Sequence, residues 1–332
     1  MTAMNVPPVA GPDHRTMLAA LRLASRAPSV HNTQPWRWVL CGDALHLYTD
    51  TDRLLTVADP QARQLIISCG AMLHHARTAF GAHGWHTDTN RLPDPEQPNL
   101  LAEIRFRPWP TPPAALVARA GAIDCRRTDR LPMDAPKNWD AVLPHLRMLV
   151  SPHYLELLTL DDDARTRLIA ASRQATALRQ HDIEYQSEIG WWTGHSETFE
   201  GVPQDALISD AESARVPVGR TFPAAPHSAR RPESEDRAAL LVLCSETDSL
   251  IDWLRTGEAL SAVLLECAVA ELATCTLTHI TELPTGRALL ANLVRPTYRP
   301  QILLRIGTAP DGERKPPPTP RRPLNEILTI ER

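Results

Sequence analysis

The sequence predicts an α+β chain made of two similar halves, and three observations carry that prediction. First, there are two long helical runs, 60–84 and 249–273. In the first, Leu65, Ile66, Cys69, Met72, Leu73, Ala76 and Phe80 recur at helical steps on more than one face, which marks a deeply buried helix. Second, strand-like runs sit side by side, as in Trp36–Leu40 and Ala44–Tyr48 around Cys41-Gly42-Asp43. Third, Gly70 and Gly257 hold the same place in the two long helices, and Leu73/Leu260 and Ala76/Val263 keep the same spacing from them. That echo implies a duplication with an offset near 187 residues, although two buried helices of ordinary composition can also match by chance.

The other elements follow in order. Residues 14–31 read as a helix with Met17, Leu18, Leu21, Leu23 and Ala24 on its apolar face. It is cut off at Pro28, because the residue before a proline is pushed out of the α region. Asn32 to Pro35 reads as a turn. Trp85–Asn90 and Leu101–Phe106 read as strands, and Pro108–Pro113 as a linker. Helices are expected near 138–147 and 161–180, with a strand at Tyr154–Thr159 between them. Residues 181–235 then break the pattern with Trp191, Trp192, Gly194, Gly201 and prolines at 203, 217, 223, 226 and 232. A stretch of that length without a period reads as a lid, a binding loop or disorder, and adjacent tryptophans argue against disorder. Leu240–Cys244 and Gln301–Ile306 read as buried strands. A proline-stiffened arm, Lys315-Pro316-Pro317-Pro318-Thr319-Pro320-Arg321-Arg322-Pro323-Leu324, closes the pattern. The expected organisation is a first half at 14–118 and a second half at 119–332, with a lid-like insertion at 181–235.

Composition narrows the function classes. A net charge of −4 leaves no general electrostatic field for nucleic acid, so any bound anion needs a local cluster of arginines. The 31 prolines fall largely in clusters, which mark loops rather than element interiors. The six cysteines form no Cys-x-x-Cys pair and read as buried reduced thiols in a reducing compartment. MTAMNVPPVAGPDHR has neither a basic n-region nor an apolar core, and no run is long enough to span a membrane, so a cytoplasmic protein is expected. His74, His75, His83 and His86 match no zinc spacing, and neither a Gly-x-Gly-x-x-Gly loop nor a P-loop is present.

Four constellations carry chemistry. Ala27-Pro28-Ser29-Val30-His31-Asn32-Thr33-Gln34-Pro35-Trp36 ends a helix abruptly and then offers a small residue and amide side chains. Such a corner can hydrogen-bond the polar edge of a planar heterocycle. Its plain alternative is a loop closed by proline and asparagine with Trp36 in the core. Arg126-Arg127-Thr128-Asp129-Arg130 is a natural anion grip, since the guanidinium fork binds two phosphate oxygens at once; the alternative is a solvated charge run. Arg321-Arg322-Pro323-Leu324 reads as a second grip or a basic tail. Thr274-Cys275-Thr276-Leu277-Thr278-His279 reads from sequence only as a helix exit.

The first string resembles the Ala-Pro-Ser-x-x-Asn-x-Gln-Pro-Trp motif of the nitroreductase-like flavoproteins. The whole chain, with its Arg-Arg-Pro-Leu ending, is similar to the Acg group within that superfamily. The resemblance implies a nitroreductase-like fold, internally duplicated, with mixed, mainly antiparallel sheets flanked by helices. It implies FMN as cofactor, with Pro28, Ser29, Val30 and Asn32 on one wall. Arg126 and Arg321 would be at the phosphate with Arg127 beside them, Thr128 near the ribityl chain and Arg130 at the N1/C2=O edge. A backbone amide near Leu277, Thr278 and His279 would face N5. No side chain need act as acid or base, because the flavin carries the chemistry.

In relatives of this kind two subunits build each site. Here the wall lies only in the first half and the phosphate grips only in the second, so one complete site and a monomer that mimics the family dimer are expected. NAD(P)H would reduce the flavin, and a nitroaromatic or quinone acceptor would reoxidise it in ping-pong fashion. Two competing readings remain: an FMN storage protein whose lid, with Trp191 and Trp192, lies over the flavin, and a flavin-free interaction protein.

Overall fold

The computed structural model describes residues 11–194, 199–222, 228–313 and 317–331. Residues 1–10, Pro223, Pro226, Lys315 and Pro316, all noted above, lie outside them. Asp13 opens helix α1 (His14–Ala24) by accepting the Thr16 N–H at 2.7 Å. The helix ends at Ala24, short of the run read from sequence, and a single 3-10 turn at Val30–Asn32 follows. Strands β1 (Trp36–Cys41) and β2 (Ala44–Thr49) form the expected antiparallel hairpin. Helix α2 (Arg63–Ala82), strands β3 (Trp85–Arg91) and β4 (Leu100–Pro108) and helix α3 (Ala114–Ala122) complete the first part of the chain.

The second part begins with α4 (Trp139–Val150), β5 (Leu155–Leu160) and α5 (Asp162–Arg179). The stretch without a sequence period contains α6 (Ile183–Trp191) and the short α7 (Asp210–Ser213). Local side chains cap both: the Asp182 carboxylate accepts the Tyr185 N–H at 3.0 Å, and Ser209 with Glu212 forms a capping box. Then come β6 (Ala239–Ser245), α8 (Leu250–Val269), β7 (Ala273–Leu277), α9 (Pro284–Leu293) and β8 (Arg299–Gly307). The chain closes with α10 (Leu324–Ile327) and β9 (Leu328–Glu331).

The strands form two sheets, ordered β3-β4-β2-β1-β9 and β5-β6-β8-β7. Every strand pairing is antiparallel except β1 with β9, which is parallel. The fold is therefore α+β, with mainly antiparallel sheets flanked by helices, as the sequence predicts. The second sheet is buried on both faces. Leu241, Leu243, Ile302, Leu304 and Ile306 pack toward α8, while Leu240, Val242, Cys244 and Leu303 pack toward Leu168, Ile280 and Leu290. This explains why β6 and β8 read as unbroken apolar runs rather than alternating ones.

The two long helices cross in direct contact. A Cβ built on Gly70 would fall 2.0 Å from the Leu254 carbonyl oxygen, and one on Gly257 would fall 1.9 Å from that of Ile67. Both positions require glycine because the backbones touch. Beside this crossing, Glu258 of α8 is fully buried and binds Arg77 of α2 at 2.9 Å and Arg91 of β3 at 2.7 Å.

One expectation from sequence needs correction. All six cysteines are free, but Cys41 and Cys125 are exposed rather than buried. Cys41 ends a strand next to a turn and Cys125 follows α3, so neither sits on a core-facing position. No helix among the described residues is long and apolar enough to cross a membrane.

Candidate functional site

The corner after α1 is backbone-strained. His31, Asn32 and Gln34 all have positive φ, at 45°, 57° and 51°. For residues other than glycine such conformations cost on the order of 1–3 kcal/mol each and persist only where neighbours enforce them. The enforcing contacts are explicit. The Gln34 N–H donates to Ser29 Oγ at 3.0 Å, and the Val30 N–H donates to Ser68 Oγ on α2 at 3.1 Å. Asn32 Nδ2 donates to the Gly201 carbonyl at 2.9 Å, and Gln34 Nε2 to that of Phe199 at 2.8 Å. Trp36 is fully buried, so the motif closes a loop over the core as well as shaping a surface.

That corner forms one wall of a cleft of about 960 Å³, including its open mouth. Pro28, Ser29, Val30 and His31 line this wall, and Gln64, Ile67 and Ser68 of α2 with Leu260 of α8 line the floor. The opposite wall is Thr128 and Arg130 with Cys275, Thr276, Leu277 and Thr278 of β7 and its exit. Backbone pairing holds these two pieces together: Thr128 bridges Thr274, and the Asp129 N–H donates to the Thr274 carbonyl at 2.8 Å. From the stretch around α7, Ile208, Val216, Arg220 and Phe222 also face the cleft.

Charge within the cleft is unevenly compensated. Arg305 is paired with Asp236 at 2.6 Å. Arg220 donates to Glu282, to Tyr185 and to Thr278 Oγ1. Burial works against the Arg220 charge, but Glu282 and Tyr185 more than offset it and its pKa is raised. Arg130 instead donates to the Ala206 carbonyl at 3.1 Å and lies 5.2 Å over the Phe222 ring; burial lowers its pKa. His31 stands edge-on to Phe222 at 5.6 Å, and burial, then Arg220 and Arg130, push its pKa well below the usual range, so the ring is neutral.

A second cluster adjoins the cleft. Two residues upstream of cleft-lining Pro28 and Thr128 stand Arg26 and Arg126, and Arg127 and Arg321 join them. Arg126 is 7% exposed, and its Nε has no partner among the described residues; the same is true of Arg127 Nε. Burial, then Arg127 and Arg26, bring the Arg126 pKa down to about 10. Burial, then Arg126, Arg26 and Arg127, push that of Arg321 well down. The nearest countercharge is Asp124, 3.3 Å from Arg26 and largely exposed. Four crowded guanidiniums with so little compensation carry positive charge that a multiply charged anion would neutralise.

The positions expected from sequence divide three ways. Pro28, Ser29, Val30, Thr128, Arg130, Leu277 and Thr278 line the cleft. Arg126, Arg127 and Arg321 form the cationic cluster beside it, although the Arg321 guanidinium donates to the carbonyls of Ser25, Arg26, Ala27, Thr319 and Pro320. Arg321 thus contributes charge to the cluster while its N–H groups cap the end of α1. Asn32 and His279 point elsewhere. Asn32 joins the corner to residue 201. His279 is buried against Ser172 Oγ at 2.9 Å, its pKa brought down to about 3 by burial and then by Arg220. Trp191 and Trp192 are not among the lining residues, whereas Ile208, Val216 and Phe222 of the same stretch are.

Sequence reasoning missed Gln64, Ser68, Arg220, Phe222 and Arg305. Helix positions that line a cavity carry the same periodic signal as core positions, and Arg220 and Phe222 lie in a stretch with no period. Among the described residues, no group of three or more histidine, cysteine, aspartate or glutamate side chains is placed to hold a metal ion.

No family model matches the chain. It is 45% identical over 313 residues to the Mycobacterium tuberculosis protein named "Putative NAD(P)H nitroreductase acg", covering 94% of this chain and 95% of that one. A second M. tuberculosis protein, also named as a nitroreductase of that kind, is 38% identical over 96% of this chain and 92% of its own length. Among solved structures, a nitroreductase with bound FMN from Bacteroides fragilis is 16% identical, with a TM-score of 0.37 over 60% of this chain and 92% of that one. An FMN-dependent nitroreductase from Mycobacterium smegmatis, in complex with NADPH, is 16% identical, with a TM-score of 0.39 over 65% and 98%. With the motif corner, the arginine cluster and two near-full-length relatives in agreement, the chain belongs to the nitroreductase-like family that includes acg.

Proposed function

We propose that this protein binds one FMN per chain and uses it for NAD(P)H-dependent reduction of nitroaromatic or quinone acceptors. The observation that carries the reading is the cluster of Arg26, Arg126, Arg127 and Arg321, with buried guanidinium nitrogens lacking partners beside an open cleft. A phosphate dianion fits that cluster, and a flat ring system fits the cleft between Pro28–His31 and Cys275–Thr278. When bound, FMN supplies two-electron acceptance from a nicotinamide and its return to an acceptor. This chain's residues bind and orient. Arg126, Arg127 and the charge of Arg321 would hold the phosphate, Thr128 would offer a hydroxyl to the ribityl chain, and Arg130 would favour the reduced, negatively charged ring. The backbone near Thr278, which lines the cleft, would supply an amide to the ring. Neutral His31 and Phe222 exclude water from the cleft.

The reading extends to architecture. The wall comes from the first half and three of the four grip arginines, Arg126, Arg127 and Arg321, from the second, so the chain supplies both contributors to one site and is proposed to act as a monomer. The meeting of Gly70 and Gly257 at equivalent points of α2 and α8 supports an origin by duplication. The unpaired thiols suit a reducing, cytoplasmic setting.

One observation favours a second reading, FMN storage with little turnover. Ile208, Val216, Arg220 and Phe222 line the cleft, and the buried Arg220–Glu282 pair ties that stretch to the segment after β7, which would narrow access to a bound ring. Anaerobic addition of NADPH to flavin-loaded protein separates the two. Bleaching of the flavin band within seconds supports the reductase; a band that stays oxidised while flavin remains tightly bound supports storage. Colourless protein that takes up no FMN on titration overturns both.

A further inference from the structure

We infer that Asn32 and Gln34 couple the segment facing the cleft to the C-terminal arm, so that loosening the arm opens the cleft. Peptide 32–34 is held between two strips of chain that are far apart in sequence. On one side lie residues 199–201: Gly201 O accepts from Asn32 Nδ2 at 2.9 Å, Phe199 O accepts from Gln34 Nε2 at 2.8 Å, and the Gly201 N–H donates to Asn32 O at 3.4 Å. On the other side lie residues 320–322. Pro320 O accepts from the same Asn32 Nδ2 at 3.3 Å, the Arg322 N–H donates to Gln34 Oε1 at 2.9 Å, and Arg322 Nη1 donates to Gln34 O at 3.3 Å. Each amide side chain therefore touches both strips, and Gln34 is fully buried.

Two ion pairs anchor the arrangement from outside. Arg322 pairs with Asp50 at 3.1 Å, and Arg53 pairs with Asp50 at 3.5 Å and with Glu200. Arg53 also donates to Thr33 O at 2.8 Å. Asp50 thus serves the arm and, through Arg53, the strip at 199–201. The positive φ values at His31, Asn32 and Gln34 supply the physical reason for coupling. A left-handed run of ordinary residues stays in place only while its surroundings over-determine it. If either strip is removed, the corner relaxes toward a commoner conformation and withdraws the contacts that hold the other strip. Residues 199–201 lead into Ile208, Val216, Arg220 and Phe222 on the cleft, so the arm becomes a control on access. The coupling is a property of the chain itself; only its consequence for turnover rests on the flavin reading.

Hydrogen exchange on the full-length chain tests the coupling without any cofactor. Arg322→Ala is expected to speed amide exchange at Gly201 and Val202 by about tenfold. Reciprocally, Glu200→Gln is expected to speed exchange at the Arg322 amide by a similar factor, since coupling between two sites is mutual. In a Gln34→Ala background the effect of Arg322→Ala at Gly201 should shrink, because only the Asn32 and Asp50–Arg53 routes are left. If Arg322→Ala leaves Gly201 and Val202 untouched, or acts on them as strongly with Gln34 absent as present, the inference is overturned. The amides of Ile302–Ile306 in β8 serve as the control for general loosening. Should they also speed up, Arg322→Lys, which keeps the charge and loses the fork, is read by the same criteria. In flavin-loaded protein the same arm variant should hasten bleaching by NADPH. Unchanged bleaching with faster exchange would overturn the arm's control of access to the cleft and leave the coupling of the two strips standing.

Discussion

Gly70 and Gly257 meet backbone to backbone where α2 crosses α8, each leaving no room for a side chain on the other helix. Gly70→Ala or Gly257→Ala is expected to force the helices apart and cost about 1–3 kcal/mol or more, the usual penalty for overpacking. Urea denaturation of each variant measures it. Gly121 provides the contrast, since an added Cβ there meets nothing within 4 Å and the residue lies inside α3. Gly121→Ala should be neutral or stabilise by roughly 0.5–1 kcal/mol; equal losses at all three positions would contradict the contact.

Arg126 and Arg321 should separate binding from folding. Removing a charge-assisted contact costs roughly 1.5–3 kcal/mol, so Arg126→Ala should weaken FMN binding by about ten- to a hundredfold. It should leave apo stability unchanged or higher, because it relieves repulsion among buried guanidiniums. Arg321→Ala removes the donors that satisfy Ser25, Arg26 and Ala27 and should lower both FMN affinity and thermal stability. Fluorescence titration of FMN alongside a melting curve distinguishes the two. Full flavin affinity in both variants refutes the phosphate assignment.

Acid should destabilise the chain through its buried histidines. His279 and His153 are brought down to about 3 and about 4, both chiefly by burial, and His31, His74 and His75 are pushed well below their usual range by the same cause. In each case the unfolded chain binds the proton more readily. Stability is therefore complete above about pH 6.5 and falls as the pH drops toward the folded values, by about 1.4 kcal/mol per unit for each such group. Asp59 acts in the opposite sense. Burial raises it to about 6, so its contribution is present below about pH 4 and is lost as the pH rises through 6. Urea midpoints at pH 5, 6 and 7 should rise with pH, and His279→Gln should flatten that slope; a slope unchanged by the substitution would show that His279 is not held neutral.

Glu258 should prove a costly residue to neutralise. It is fully buried, and Arg77 and Arg91 lower its pKa against the pull of burial. Glu258→Gln leaves two guanidiniums without their shared countercharge at the junction of α2, α8 and β3. A loss of about 3–5 kcal/mol is expected from a broken buried pair, measured by urea denaturation. A loss below 1 kcal/mol would mean that the two arginines find water instead.

Much of the fold could be read because periodicity reports burial. The runs at 36–40, 44–48, 240–244 and 301–306 fall on strands, and those at 60–84 and 249–273 on α2 and α8, with errors confined to the ends. The exit of α8 was harder. Ala273–Leu277 is a strand, yet it follows the helix after a short turn and carries threonines on either side of Cys275, so the helical signal runs into it. Helices α3, α6 and α9 carried no pattern strong enough to name. The site was legible where chemistry is unusual, as in the Pro28–Asn32 corner and the Arg126–Arg130 run. It was illegible at Arg220 and Phe222, whose roles come entirely from long-range contacts.

The parallel pairing of β9 with β1 bears on how the polypeptide can be divided. Residues 328–331 finish the sheet that begins at residue 36, so a fragment stopped anywhere before them bares the backbone edge of β1. A bare edge recruits whatever strand is at hand, and at high concentration the nearest candidate is the tail of another copy. A truncated chain mixed with intact copies is thus expected to capture one of their tails and form linked pairs.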